Sequence, residues 1–104
     1  MKKTNFILVL SLIFSTTLFG QKTFTLSSKD LGGEASKIQE FNGFGCTGNN
    51  QSPQLSWKNV PDGTKSFAIT MYDPDAPTGS GFWHWLVFDI PATSSELVTN
   101  AGNV

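Results

Sequence analysis

Two alternating β patterns joined by a stiff nine-residue turn constrain this chain more than any other feature. Over residues 66–72, Phe67, Ile69 and Met71 alternate with Ala68, Thr70 and Tyr72. That period of two is what a strand requires. Over residues 83–90, His84, Leu86, Phe88 and Ile90 alternate with Trp83, Trp85, Val87 and Asp89. Both faces of this second segment are largely apolar, which predicts a central strand buried on both sides. Between them lies DPDAPTGSG, with two Pro and two Gly, a composition that turns the chain back on itself.

The remainder fits the same class. Phe24, Leu26 and Leu31 predict a short first strand and a bend. Residues 41–51, FNGFGCTGNNQ, favour positive-φ turns over regular structure. QLSW at 54–57 reads as a short strand, followed by the turn Val60-Pro61-Asp62-Gly63. Residues 92–104 are small and polar, with no strand pattern, and read as loop. No 3.6-residue periodicity is sustained beyond the N-terminal segment. The predicted class is therefore mostly β, in one domain, since 104 residues do not make two. The few strands expected would leave exposed edges, so the chain is expected to be an N-terminal fragment, incomplete at the C-terminus.

Composition narrows the function. Seven Lys, no Arg and a net charge of −1 argue against a nucleic-acid partner. One cysteine excludes an internal disulfide framework and a multi-cysteine zinc site. Cys46 reads either as a small buried thiol or as one whose partner lies in the missing part. Lys2 and Lys3 precede the apolar run FILVLSLIF and the small residues ending at Gly20. This is the plan of a secretory signal peptide over residues 1–20, and its apolar run is too short to span a bilayer comfortably. Gln21 stands where a lipoprotein would need cysteine. Residues 21–104 are thus expected to be exported, periplasmic or secreted, with no stable membrane anchor. Their net charge is −3, from five Lys against eight acids.

Asp73 and Asp75 flank Pro74, and Pro77 follows two residues on. Proline restricts itself and the residue before it, which predicts a stiff, extended segment. Two carboxylates there would project together about 6–7 Å apart, and in a shared dry site they would repel each other. The hairpin would return His84 beside them. Two readings fit these residues: an acidic turn with a core histidine, or an Asp/Asp/His pocket. No nucleophile or oxyanion donor accompanies the acids, so no enzyme is predicted. Proline at spacer positions and the lack of a closing Glu exclude a calcium loop, so no metal or cofactor is assigned. Trp83 and Trp85, on one face of the strand with Tyr72 nearby, also fit the platform of a carbohydrate-binding module.

DPDAP followed by Gly81-Phe82-Trp83-His84-Trp85, with GCTGNNQSPQLSW upstream, resembles the phosphatidylethanolamine-binding protein (PEBP) family. The likeness is to its bacterial Raf-kinase-inhibitor-like branch and covers about residues 24–102. The resemblance implies a large central β-sheet packed on a smaller sheet. It also implies a non-catalytic pocket for a small anionic ligand, phosphate-bearing or phospholipid-headgroup-like. Asp73, Asp75 and His84 match that pocket's acids and histidine, and Pro74 and Pro77 match the residues that shape its loop. A second role the resemblance implies is a protein partner, a kinase or protease that is inhibited by contact. The family's later Gly-Pro-x-Pro-Pro and His-Arg-Tyr segments have no counterpart after Pro91.

The signal-peptide reading has a direct test. N-terminal sequencing of the exported protein should begin at Gln21, and an exported chain that keeps Met1 would contradict it.

Overall fold

The computed structural model describes residue 20 and residues 22–102. The predicted signal peptide, apart from Gly20, lies outside the described residues. Among the described residues there are five strands and no helix: β1 (Thr25–Ser27), β2 (Leu55–Lys58), β3 (Ser66–Asp73), β4 (Phe82–Pro91) and β5 (Glu96–Leu97). The protein is mostly β, as its alternation and turn chemistry predict. Among the described residues no helix is long and apolar enough to cross a membrane.

The strands form two antiparallel sheets, β1-β2-β5 and β3-β4. β5 corrects the reading of residues 92–104 as loop. Only two residues long, it pairs Leu97 with Leu55 and Glu96 with Ser56, and a pair of residues is too short to show a period. The sheets meet along an aromatic seam. Phe67 of β3 lies 6.4 Å from Phe24, rings stacked, and 5.1 Å from Trp57 of β2. Trp57 is only 4% exposed, and its indole N–H donates to the Ser94 carbonyl at 3.1 Å. That bond meets the cost of taking the polar edge of a buried tryptophan out of water. Leu55 and Ile90 complete the buried apolar set.

The expectation that β4 is buried on both faces does not hold. Of its residues only Ile90 is buried, and Phe88 is 76% exposed. The physical reason is the layering. Among the described residues β4 has one strand neighbour, β3, and only the face carrying Phe67 meets the other sheet. The opposite face carries Tyr72, Trp83 and Leu86, all exposed.

A polar knot closes the three-stranded sheet. Asp30 Oδ2 accepts from the Gln54 backbone N–H at 2.7 Å and from the Thr99 hydroxyl at 2.6 Å. Gln54, itself buried, accepts from the Lys29 N–H at 3.0 Å and donates to Glu96 at 3.2 Å. Three distant segments are thereby joined: the turn after β1, the entry to β2, and the stretch after β5. The Thr99 hydroxyl, then the Gln54 N–H, and last the nearby Lys29 charge hold the Asp30 carboxyl below the usual carboxylate range, against a small opposing effect of burial.

Because the folded value lies below the unfolded one, about 3.9, Asp30 adds stability above that pH. The contribution is lost as pH falls through the folded value. Asp30→Asn should therefore flatten the acid limb of a stability-versus-pH curve measured by chemical denaturation. An unchanged acid limb would contradict this.

Candidate functional site

Cross-strand pairing places the site. Asp73 is opposite Phe82, Tyr72 opposite Trp83, and Met71 opposite Trp85. Between the last two pairs β3 advances by one residue and β4 by two, so His84 has no partner. This is a β-bulge, a device that re-aims a side chain and bends its strand. A second bulge lies between the pairs Phe67–Ile90 and Ile69–Val87, where Asp89 has φ 58°. The bulge at His84 brings it to the face of Asp73 and Phe82. His84 Nε2 is 3.5 Å from Asp73 Oδ2, and the Phe82 ring stands edge-on to the imidazole at 5.0 Å.

The same bulge undoes the expected tryptophan platform. Trp83 packs on Tyr72 at 4.6 Å. Trp85 pairs with Met71 on the other face, and its indole closes against Gly102, where an added Cβ would come within 2.8 Å of the ring. Trp83 and Trp85 therefore do not share a face, and the structure does not supply the geometry that the carbohydrate-binding reading needs.

The DPDAP segment is a turn, not the extended rod that its prolines predict. The Asp75 N–H donates to Asp73 Oδ1 at 2.9 Å. Aspartate commonly satisfies its own backbone two residues on, and here that bond outweighs the extended preference. The structure thus joins Asp73 to Asp75 through the main chain and Asp73 to His84 through side chains. The Asp75 carboxylate, Pro74 and Pro77 are exposed on the turn. Gly81 brings the chain back with φ +74°, where an added Cβ would collide with the Tyr72 hydroxyl and lie 2.7 Å from the Asp73 carbonyl. Tyr72 fastens the turn by donating its hydroxyl to the Ser80 carbonyl at 2.7 Å, and the Thr78 hydroxyl donates to the Gly81 carbonyl.

The sequence reading assigned Phe82 no part in the site, and it set Tyr72 only beside the tryptophan platform. Phe82 stands two positions before His84, the spacing that puts neighbours on one side of a strand, and that was the available signal. The electrostatics are those of an open site. Asp73 and His84 side chains are 41% and 46% exposed, so their pairing is worth less than about 1 kcal/mol. Three and a half ångströms is also long for a hydrogen bond. The pair therefore has little structural work and keeps its polar atoms available to a ligand. Among the described residues no group of three His, Cys, Asp or Glu could hold a metal ion. Cys46 is exposed, which corrects the buried-thiol reading: its loop turns at Phe44 and Gly45, both with positive φ, and directs it outward.

Comparison with known proteins adds four findings. The family model "Phosphatidylethanolamine-binding protein" matches residues 27–103. The UPF0098 protein YbcL of Escherichia coli K12 is 48% identical over 99 residues, 91% of this chain and 54% of YbcL. A second protein of that organism, YbhB, is 57% identical over 63 residues, 61% of this chain and 40% of its own length. The crystal structure of E. coli YbcL, described as a new member of the mammalian PEBP family, superposes with a TM-score of 0.74 at 54% identity. It covers 77% of this chain and 50% of that one. The chain thus spans about half the length of the relatives it matches.

The two roles of Asp73 are separable. Asp73→Asn keeps the Oδ1 acceptor for the Asp75 N–H, whereas Asp73→Ala removes it. Amide hydrogen exchange at Asp75 should be unchanged in the first variant and faster in the second; equal exchange in both would contradict the turn's dependence on that bond.

Proposed function

The chain belongs to the phosphatidylethanolamine-binding protein family, and on that premise we propose that it binds a small anionic ligand, phosphate-bearing or headgroup-like, without catalysing a reaction. One observation carries the reading: the bulge at His84 sets its imidazole 3.5 Å from Asp73 at the mouth of the hairpin turn. An imidazole N–H is a donor for a phosphate oxygen, and a stronger one when charged. The carboxylates of Asp73 and Asp75 are acceptors for a ligand hydroxyl or ammonium group. The edge of Phe82 limits the positions His84 can take. Pro74 and Pro77 stiffen the turn that carries the acids.

Such a site binds and orients. The reading assigns the His84–Asp73 pair no nucleophile, and a general base needs a reacting group within hydrogen-bond reach. The proposal takes residues 1–20 as a signal peptide and so sets the binding outside the cytoplasm. The apolar face of β3-β4 supports a second role as a contact surface for another protein, the kinase- or protease-modulator reading.

Calorimetric titration with inorganic phosphate and with O-phosphoethanolamine tests the site. His84→Ala should weaken both by about tenfold or more, the loss of one charge-assisted hydrogen bond. Asp73→Asn should weaken the amino-phosphate more than phosphate itself. Unchanged affinity in both variants, with the Trp57 fluorescence of the folded chain retained, would overturn the assignment. Variants that lose the ligand yet still inhibit a protein partner would favour the modulator reading.

A further inference from the structure

Away from the Asp73–His84 site, the loop over residues 36–51 carries a chemical feature of its own. Asn42 is the one asparagine in the chain followed by glycine. It is exposed, in a bend at the outer end of the loop. A Cβ added at Gly43 would stand 2.6 Å from the ring of Phe41, which is itself exposed and would have to shift. The residue after Asn42 has no side chain to shield its backbone nitrogen. Among the described residues, neither the Asn42 carboxamide nor the Gly43 N–H makes a hydrogen bond. The main chain on either side is tied down, with the Gly48 N–H donating to the Phe41 carbonyl at 3.2 Å and the Cys46 N–H to the Gly43 carbonyl at 2.9 Å.

We propose that Asn42 is a site of spontaneous deamidation and isoaspartate formation in the folded protein. The Gly43 backbone nitrogen, giving its proton to solvent base, attacks the Asn42 side-chain carbonyl carbon. A new C–N bond closes a five-membered succinimide, and the carboxamide nitrogen leaves as ammonia. Water then adds to one of the two ring carbonyls. Opening one way yields aspartate, and opening the other way yields isoaspartate. Only water is consumed, and nothing is oxidised or reduced. The remaining described asparagines are placed differently. Asn49, Asn50, Asn59 and Asn100 precede residues with side chains, and the Asn59 carboxamide also donates to the Thr23 carbonyl at 3.0 Å.

The product reshapes the loop. It adds a carboxylate to a segment whose ionised pair, Lys37 and Glu40, sits at 3.6 Å. Isoaspartate also lengthens the main chain by one carbon between the anchored carbonyls of Phe41 and Gly43. That insertion strains the two hydrogen bonds holding the loop tip.

The test ages the full-length chain at neutral and mildly alkaline pH, its fold verified by Trp fluorescence. Peptide mapping by mass spectrometry and isoaspartyl methyltransferase labelling follow conversion. A synthetic peptide of residues 40–46 sets the unrestrained rate. The folded chain should convert at Asn42 within about threefold of the peptide, as an exposed loop tip does, and faster at the higher pH. Asn42→Gln should abolish most of the methyl labelling. Asn42 intact once the peptide has converted would overturn the proposal. So would full labelling in Asn42→Gln, which would locate the isoaspartate at Asp62-Gly63, a change without gain of mass.

Discussion

Contact between Trp57 and Phe67 is what makes two small sheets one structure. Each sheet alone is marginal, since two or three short strands bury too little apolar surface to persist in water. Trp57 brings the largest side-chain area available to a residue, and its indole N–H is satisfied by Ser94. Phe24 extends the seam from β1 and Ile90 from β4. Removing the Trp57 side chain would cost about 3–5 kcal/mol, a large part of what so small a domain can hold. The hairpin that carries Asp73 and His84 is positioned through this seam, so the site is anchored at the end of the hairpin farthest from it.

Two departures from ideal sheet geometry do the rest. The bulge at His84 turns a residue that period two assigns to the Leu86 face toward Asp73, and it separates Trp83 from Trp85. The Asx turn at Asp73 folds the proline segment back, so that one carboxylate ends β3, starts the turn and faces the imidazole. Each departure adds a constraint that the apolar pattern does not demand. Local irregularity of this kind is found where side chains must be aimed.

Most of the fold was legible in the sequence because alternation and turn residues act locally. β3, β4 and the turn between them followed from period two, proline and glycine. β2 followed from QLSW and its flanking Pro and Gly signals. What escaped depends on partners far along the chain. β5 is two residues paired to β2, Leu97 with Leu55 and Glu96 with Ser56, far along the chain. The bulges are decided by register, which period two takes to be unbroken. The exposure of β4 depends on which layers cover it. At the site, Asp73 and His84 were legible together from the hairpin, while the turn at Asp75 and the part of Phe82 depend on a side-chain hydrogen bond and a cross-strand pair.

The Asp30–Thr99 hydrogen bond spans 69 residues, whereas β3 and β4 close across a short turn. Loop-closure entropy grows with the length of chain drawn together, and non-local pairing slows folding. The hairpin can form from its own residues. The polar knot must wait for the turn after β1, the entry to β2 and the stretch after β5 to meet. Loop closure thus costs less for the hairpin that carries the residues proposed to meet ligand than for the seal on the other sheet. While that seal is open, β2 shows an unpaired edge, the interval in which such a chain is most exposed to strand addition by a neighbour.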